Sequence, residues 1–159
     1  MKKYLQKKLD NEKGMTLIEL LAVIVIIAII AAIAIPAIGN IIENSRVGSM
    51  KADASNVLSA ANLYEQDGNT PTTTGIVLVS ELISKGYIED SGTIPGAGSI
   101  SLTNLTISAT ATNGDLSVEF IGANKGTVNS MPNNTEGTYS PTETTVNLGT
   151  IEVDRDGTS

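Results

Sequence analysis

The run "LIELLAVIVIIAIIAAIAI", residues 17–35, constrains this chain more than any other feature. Apart from Glu19 it is wholly apolar. As a helix, nineteen residues rise about 29 Å at 1.5 Å each. That matches the hydrocarbon thickness of a bilayer, about 30 Å. A helix buried in a soluble core carries a polar face, and this run has none. A secretory signal has a shorter apolar core followed by a small-residue cleavage site. Here the candidate small residue, Gly14, precedes the run, so a cut there removes only the leader and leaves the apolar segment in place. The carboxylate of Glu19 is costly in such a span, by about 2.5–3.5 kcal/mol on insertion scales. Some favourable interaction must offset that cost.

Charge is unevenly spread. Residues 1–14 carry five lysines against Asp10 and Glu12, a net of +3, while the whole chain carries −7. Residues 15–159 therefore hold −10. A basic flank before a span is expected on the cytoplasmic side. An acidic body repels nucleic-acid phosphates, and with one Phe, four Tyr and no Trp it offers few stacking platforms. Cysteine and histidine are both absent. That excludes disulfides, thiolate metal sites and the commonest general base. Ser84-Lys85 stands without a supporting constellation, so no catalytic residues, cofactor or metal are expected.

The apolar helix continues past the span. Pro36 lacks an N–H and crowds the carbonyl of Ala32, so a kink or local melting is expected there. Met50, Ala54, Val57, Ala61 and Tyr64 then recur at spacings of four and three, one stripe on a helix. Arg46, Lys51, Asp53, Ser55 and Asn62 fall on the other face. The pattern ends at Gly68, Asn69 and Pro71. One helix over about 15–66 is expected, apolar all round in its first half and amphipathic in its second. A short helix follows at 79–85. It carries Val79, Leu82 and Ile83 on one face, a possible Ser80 cap, and Gly86 at the left-handed C-terminal position. "SGTIPGAGS" reads as loop.

Strand signals then take over. Leu105, Ile107, Ala109 and Ala111 alternate, as do Leu116, Val118 and Phe120, and Asn113-Gly114 between them is a favoured hairpin pair. "GTVNSMPNNTEGTYSPTET" reads as polar loop. A last strand carries Val146 and Leu148, then Ile151 and Val153, with a bulge or bend where parity switches at Gly149. "RDGTS" reads as a loose tail. The fold expected is α+β: a long N-terminal helix whose outer half packs on a small antiparallel sheet. With an aliphatic core and no disulfide, modest stability follows.

Other motifs in the chain are weaker. Acidic residues at 154–159 are spaced as in calcium loops but lack a full ligand set. Glu89-Asp90 is equally weak. Asn104-Leu-Thr106 and Asn133-Asn-Thr135 match the N-glycosylation acceptor pattern, which recurs by chance in Thr-rich sequence. "GTIPGAGS" neither ends in Lys-Ser/Thr nor opens a helix, so it is not a phosphate loop.

Gly14-Met15-Thr16-Leu17-Ile18-Glu19, ahead of an apolar run reaching Pro36, resembles the amino end of a type IV prepilin. The resemblance covers roughly residues 2–45. It implies a basic leader (1–14) removed after Gly14 by a membrane prepilin peptidase, which also methylates the new N-terminus, Met15. It implies an assembly helix over 15–38, a head domain over 39–159, and Pro36 where the family's helix loosens in filaments. The family often has Phe after the cut, where this chain has Met15; other apolar residues also occur there. Many Gram-negative pilins close a C-terminal loop with two cysteines. Their absence here points to a Gram-positive source, or to an end held by packing or a metal.

On this reading the precursor is a single-pass membrane protein, with the leader in the cytoplasm and the head outside. It is stored in lipid, then polymerised by the pilus assembly machinery into a helical homo-oligomer for adhesion or twitching motility. Glu19 then pairs with the amine freed at Met15 of its own or a neighbouring subunit, a pairing worth far more in low dielectric than in water. The alternatives are a pseudopilin of a competence or type II secretion system, and a membrane-anchored binding module that never polymerises.

Overall fold

The computed structural model describes residues 2–134, 137–139 and 150–154, with side chains for 17–134 and 151–154. The chain divides into two compact units, Met1–Ile41 and Ile42–Ser159. One helix, α1, spans Lys2–Gln66. It starts well before the expected residue 15, so the leader is helical here.

In the first unit α1 is helical through Pro36. The expected local melting at that residue is not seen. From Leu17 on, nearly every side chain of this unit is exposed, with Leu17 at 73 % and Ile33 at 71 %. The apolar surface runs all round the helix, so nothing within the unit covers it.

The second unit, the head, orders a six-stranded antiparallel sheet against the rest of α1. In chain order its elements are β1 Ile76–Leu78, α2 Val79–Ser84, β2 Ser99–Ser101, β3 Thr106–Asn113, β4 Leu116–Asn124, α3 Lys125–Ser130, β5 Gly137–Tyr139 and β6 Thr150–Asp154. The sheet order is β1-β2-β3-β4-β6-β5. Met50, Ala54, Val57, Ala61 and Tyr64 are all fully buried, as the stripe requires, and Val47 and Leu58 join them. They meet the inward residues of the sheet, among them Val77, Ile100, Ile107, Val118, Phe120, Ile151 and Val153.

The hairpin forms with its register one residue later than the Asn113-Gly114 pair suggests. Asn113 pairs with Leu116, leaving Gly114 and Asp115 as the two turn residues. Gly114 has φ 69 and Asp115 stays at negative φ, the pattern of a turn with glycine first. Leu105 is not in the strand. It occupies a left-handed turn conformation, φ 50, just before β3.

A bulge in β4 escapes sequence alternation. Ile107 pairs with Ala123 but Ala109 pairs with Phe120, so β4 holds one extra residue. Gly122 sits there at φ 59 and donates its N–H to Ser108 Oγ at 3.1 Å. The extra residue resets parity, so that Phe120 and Ala123, three apart, both point inward. The parity switch expected at Gly149 lies outside the described residues, as do Val146 and Leu148.

Three local expectations are corrected. Ser80 does not cap α2: β1 runs straight into the helix, Leu78 takes the cap position, and no side-chain bond forms there. Ile83 is 38 % exposed, unlike Val79 and Leu82. The stretch after β4 is not loop throughout. Asn124 accepts the N–H of Thr127 at 2.9 Å and caps α3, while Val128 and Met131 fill the core beside it. The C-terminal end of α2 behaves as expected. Gly86 adopts φ 80, and the N–H of Tyr87 reaches the carbonyl of Leu82 at 2.9 Å.

Candidate processing and assembly site

Gly14 and Met15 lie within α1. Glycine costs about 1 kcal/mol relative to alanine in a helix interior, so Gly14 is a weak point of the leader. It also offers an approaching enzyme a backbone with no side chain over it. Glu19 is exposed and, among the described residues, has no hydrogen-bond or ion-pair partner. Around it Leu17, Ile18, Leu20 and Leu21 are 58–73 % exposed. A carboxylate set in an apolar sleeve is costly until solvent or a partner satisfies it. Met15 and Glu19 are four residues apart, about 6 Å of helical rise. Pro36 stands two turns beyond Ile29 in the same sleeve, between the exposed Ile35 and Ile38.

Residues 9–35 match the family described as the prokaryotic N-terminal methylation motif. The amino end is that of a type IV pilin-like protein. The match takes in Gly14, Met15 and Glu19 and stops one residue short of Pro36. It brings with it prepilin peptidase processing and, in general terms, an assembly machinery. With the apolar helix, it fits a membrane-anchored protein that is later extracellular. No curated protein and no solved structure matches the chain significantly.

In the head, Asp53 and Lys51, which the helical period places off the buried stripe, and Tyr64 at the end of that stripe tie α1 to distant segments. Asp53 accepts from Thr93 N–H at 2.8 Å and Thr93 Oγ1 at 2.7 Å. Lys51 reaches the carbonyl of Met131 and the side chain of Asn133, the latter at 3.0 Å, and burial pulls its ammonium below the usual lysine range. At the end of α1, Tyr64 donates to Glu81 Oε1 at 2.8 Å. That bond holds the Glu81 carboxyl below its ordinary range, while desolvation first and then Glu81 push the Tyr64 hydroxyl up. Tyr87 donates to Asp67 at 2.8 Å, which raises its own hydroxyl, and packs edge-on against Tyr64. These partners are far apart in sequence, so only the tertiary fold reveals them. The calcium-like spacing at 154–159 falls outside the described residues beyond Asp154, and among the described residues no cluster suited to a metal forms.

Proposed function

We propose that this chain is the structural subunit of a type IV pilus. It is cut between Gly14 and Met15, N-methylated at Met15, and polymerised through residues 15–38 into an extracellular filament that serves adhesion or twitching. The observation that carries the reading is the uncovered apolar sleeve from Leu17 to Ile42, joined to the methylation motif. In lipid the sleeve is solvated by acyl chains. In a filament it is solvated by its copies, and Ala28, Ala31, Ala32 and Ala34 allow close helix approach.

Glu19 supplies register. The amine freed at Met15 of one subunit neutralises the Glu19 carboxylate of the next, so the cost of a lone anion in an apolar setting is recovered only in the correct axial position. The head, outside the membrane, presents the surface that cells use.

The intact mass of the protein purified from its own host tests this. Loss of residues 1–14 with gain of one methyl group is expected. A mass that retains the lysine-rich leader rules the reading out. Glu19→Ala subunits are expected to be processed normally but to enter filaments poorly, read by quantifying sheared appendages. Equal incorporation would remove the register role.

A further inference from the structure

An open groove of about 380 Å³ lies on the head, within the 300–1,000 Å³ range of small-molecule sites. One wall is α1, through Asn56, Ser59, Ala60 and Leu63. The other follows α2, through Tyr87, Ile88 and Asp90. Leu63 is 50 % exposed, and Ile88 and the Tyr87 ring, both packed on the core, form the apolar part of the other wall. That ring is held in place: its hydroxyl donates to Asp67 at 2.8 Å, accepts from Asn69 Nδ2 at 2.6 Å, and its centroid lies 5.3 Å from that of Tyr64. A wall already fixed loses little entropy on binding.

The polar part both donates and accepts. Among the described residues the Asn56 amide has no hydrogen-bond partner. Asp90 spends one oxygen on the N–H of Gly92, at 2.9 Å, and leaves the other unused. Ser59 Oγ accepts from Lys125 Nζ at 2.9 Å, so that hydroxyl is already engaged.

The geometry points to a binding site for a neutral hexose unit. A pyranose ring has an apolar C–H face and a rim of hydroxyls that each donate and accept. The Leu63, Ile88 and Tyr87 walls take the C–H face. Asn56 and Asp90 take the hydroxyls. Asp90 in the groove, with Glu89 beside it in the chain, weighs against acidic sugars. This goes beyond the filament role and does not depend on it, because only the folded head is needed.

The test uses the full-length chain in a detergent without a sugar headgroup, titrated with glucose, galactose and N-acetylglucosamine and followed by calorimetry and saturation-transfer NMR. Saturable binding of at least one, with Kd about 1 mM or tighter, is expected. Asn56→Ala removes one hydrogen-bonding group and should weaken it about tenfold. Leu63→Glu should abolish it. Both side chains are exposed and make no bond that the fold uses, and an unchanged Tm verifies that. Asp90→Asn keeps the acceptor for Gly92 and should weaken binding only a few-fold. No binding of any of the three sugars at tens of millimolar overturns the proposal. So does binding that Asn56→Ala and Leu63→Glu leave unchanged.

Discussion

The contact between Asp53 and the 92–93 turn allows a prediction with internal controls. Asp53, on α1, is half-buried and accepts two hydrogen bonds from Thr93. Hydrogen bonds to a charged group contribute about 1.5–3 kcal/mol each when shielded. Partial exposure reduces this, so Asp53→Ala should destabilise the head by about 2–3 kcal/mol. Gly92 adopts φ 60, and a Cβ built there would sit 2.4 Å from the Asp53 carboxylate. Gly92→Ala therefore has two costs. The left-handed backbone costs about 1–2 kcal/mol. The clash must also displace the carboxylate and with it the Thr93 bonds, for about 4 kcal/mol together.

In the double variant the clash disappears with the carboxylate, and the Thr93 bonds are lost only once. Its cost should again be about 4 kcal/mol, below the sum of the single effects by about 2–3 kcal/mol, a large coupling for one pair. The assay is chemical denaturation of the full chain in micelles, followed by circular dichroism. Gly122→Ala is the control: φ is also positive, 59, but nothing lies within 4 Å of its added Cβ, so only the backbone cost of about 1–2 kcal/mol remains. Strictly additive costs for Gly92→Ala and Asp53→Ala, or equal costs for the two glycine variants, would refute the reasoning.

Phe120→Ala, 1 % exposed between Ala109 and Ile151 on neighbouring strands, should cost about 3–5 kcal/mol. That is enough to leave a marginal head largely unfolded, read by loss of cooperative melting. Asn124→Ala should cost about 1 kcal/mol by uncapping α3, with faster amide exchange confined to residues 125–131. The Tyr64–Glu81 bond predicts an acid response. Because Glu81 titrates lower in the folded head than in the unfolded chain, the bond adds stability above the unfolded value, about 4.3. That stability is lost as pH falls through the folded value. Glu81→Gln should flatten the fall of the denaturation midpoint with acid below about pH 4; an unchanged slope would assign the acid sensitivity elsewhere.

What the sequence determined by itself is whatever its local period or local chemistry encodes. The nineteen-residue apolar run, the Gly14–Glu19 motif, the buried stripe from Met50 to Tyr64 and the glycine-led hairpin all repeat or turn within a few residues, and one face or one turn suffices to read them. The tertiary structure alone decided the rest. β1, β2 and β5 are three residues each, too short for alternation to register, and they exist because neighbours supply their hydrogen bonds. The Gly122 bulge, the bonds of Asp53 and Tyr64, and the groove between Leu63 and Tyr87 join residues that are 14 to 40 positions apart, or are set by a strand register that those residues do not encode. A side chain's spacing states which face of its own element it occupies. What it meets there depends on how distant segments are brought together, and that free energy is shared across the whole core.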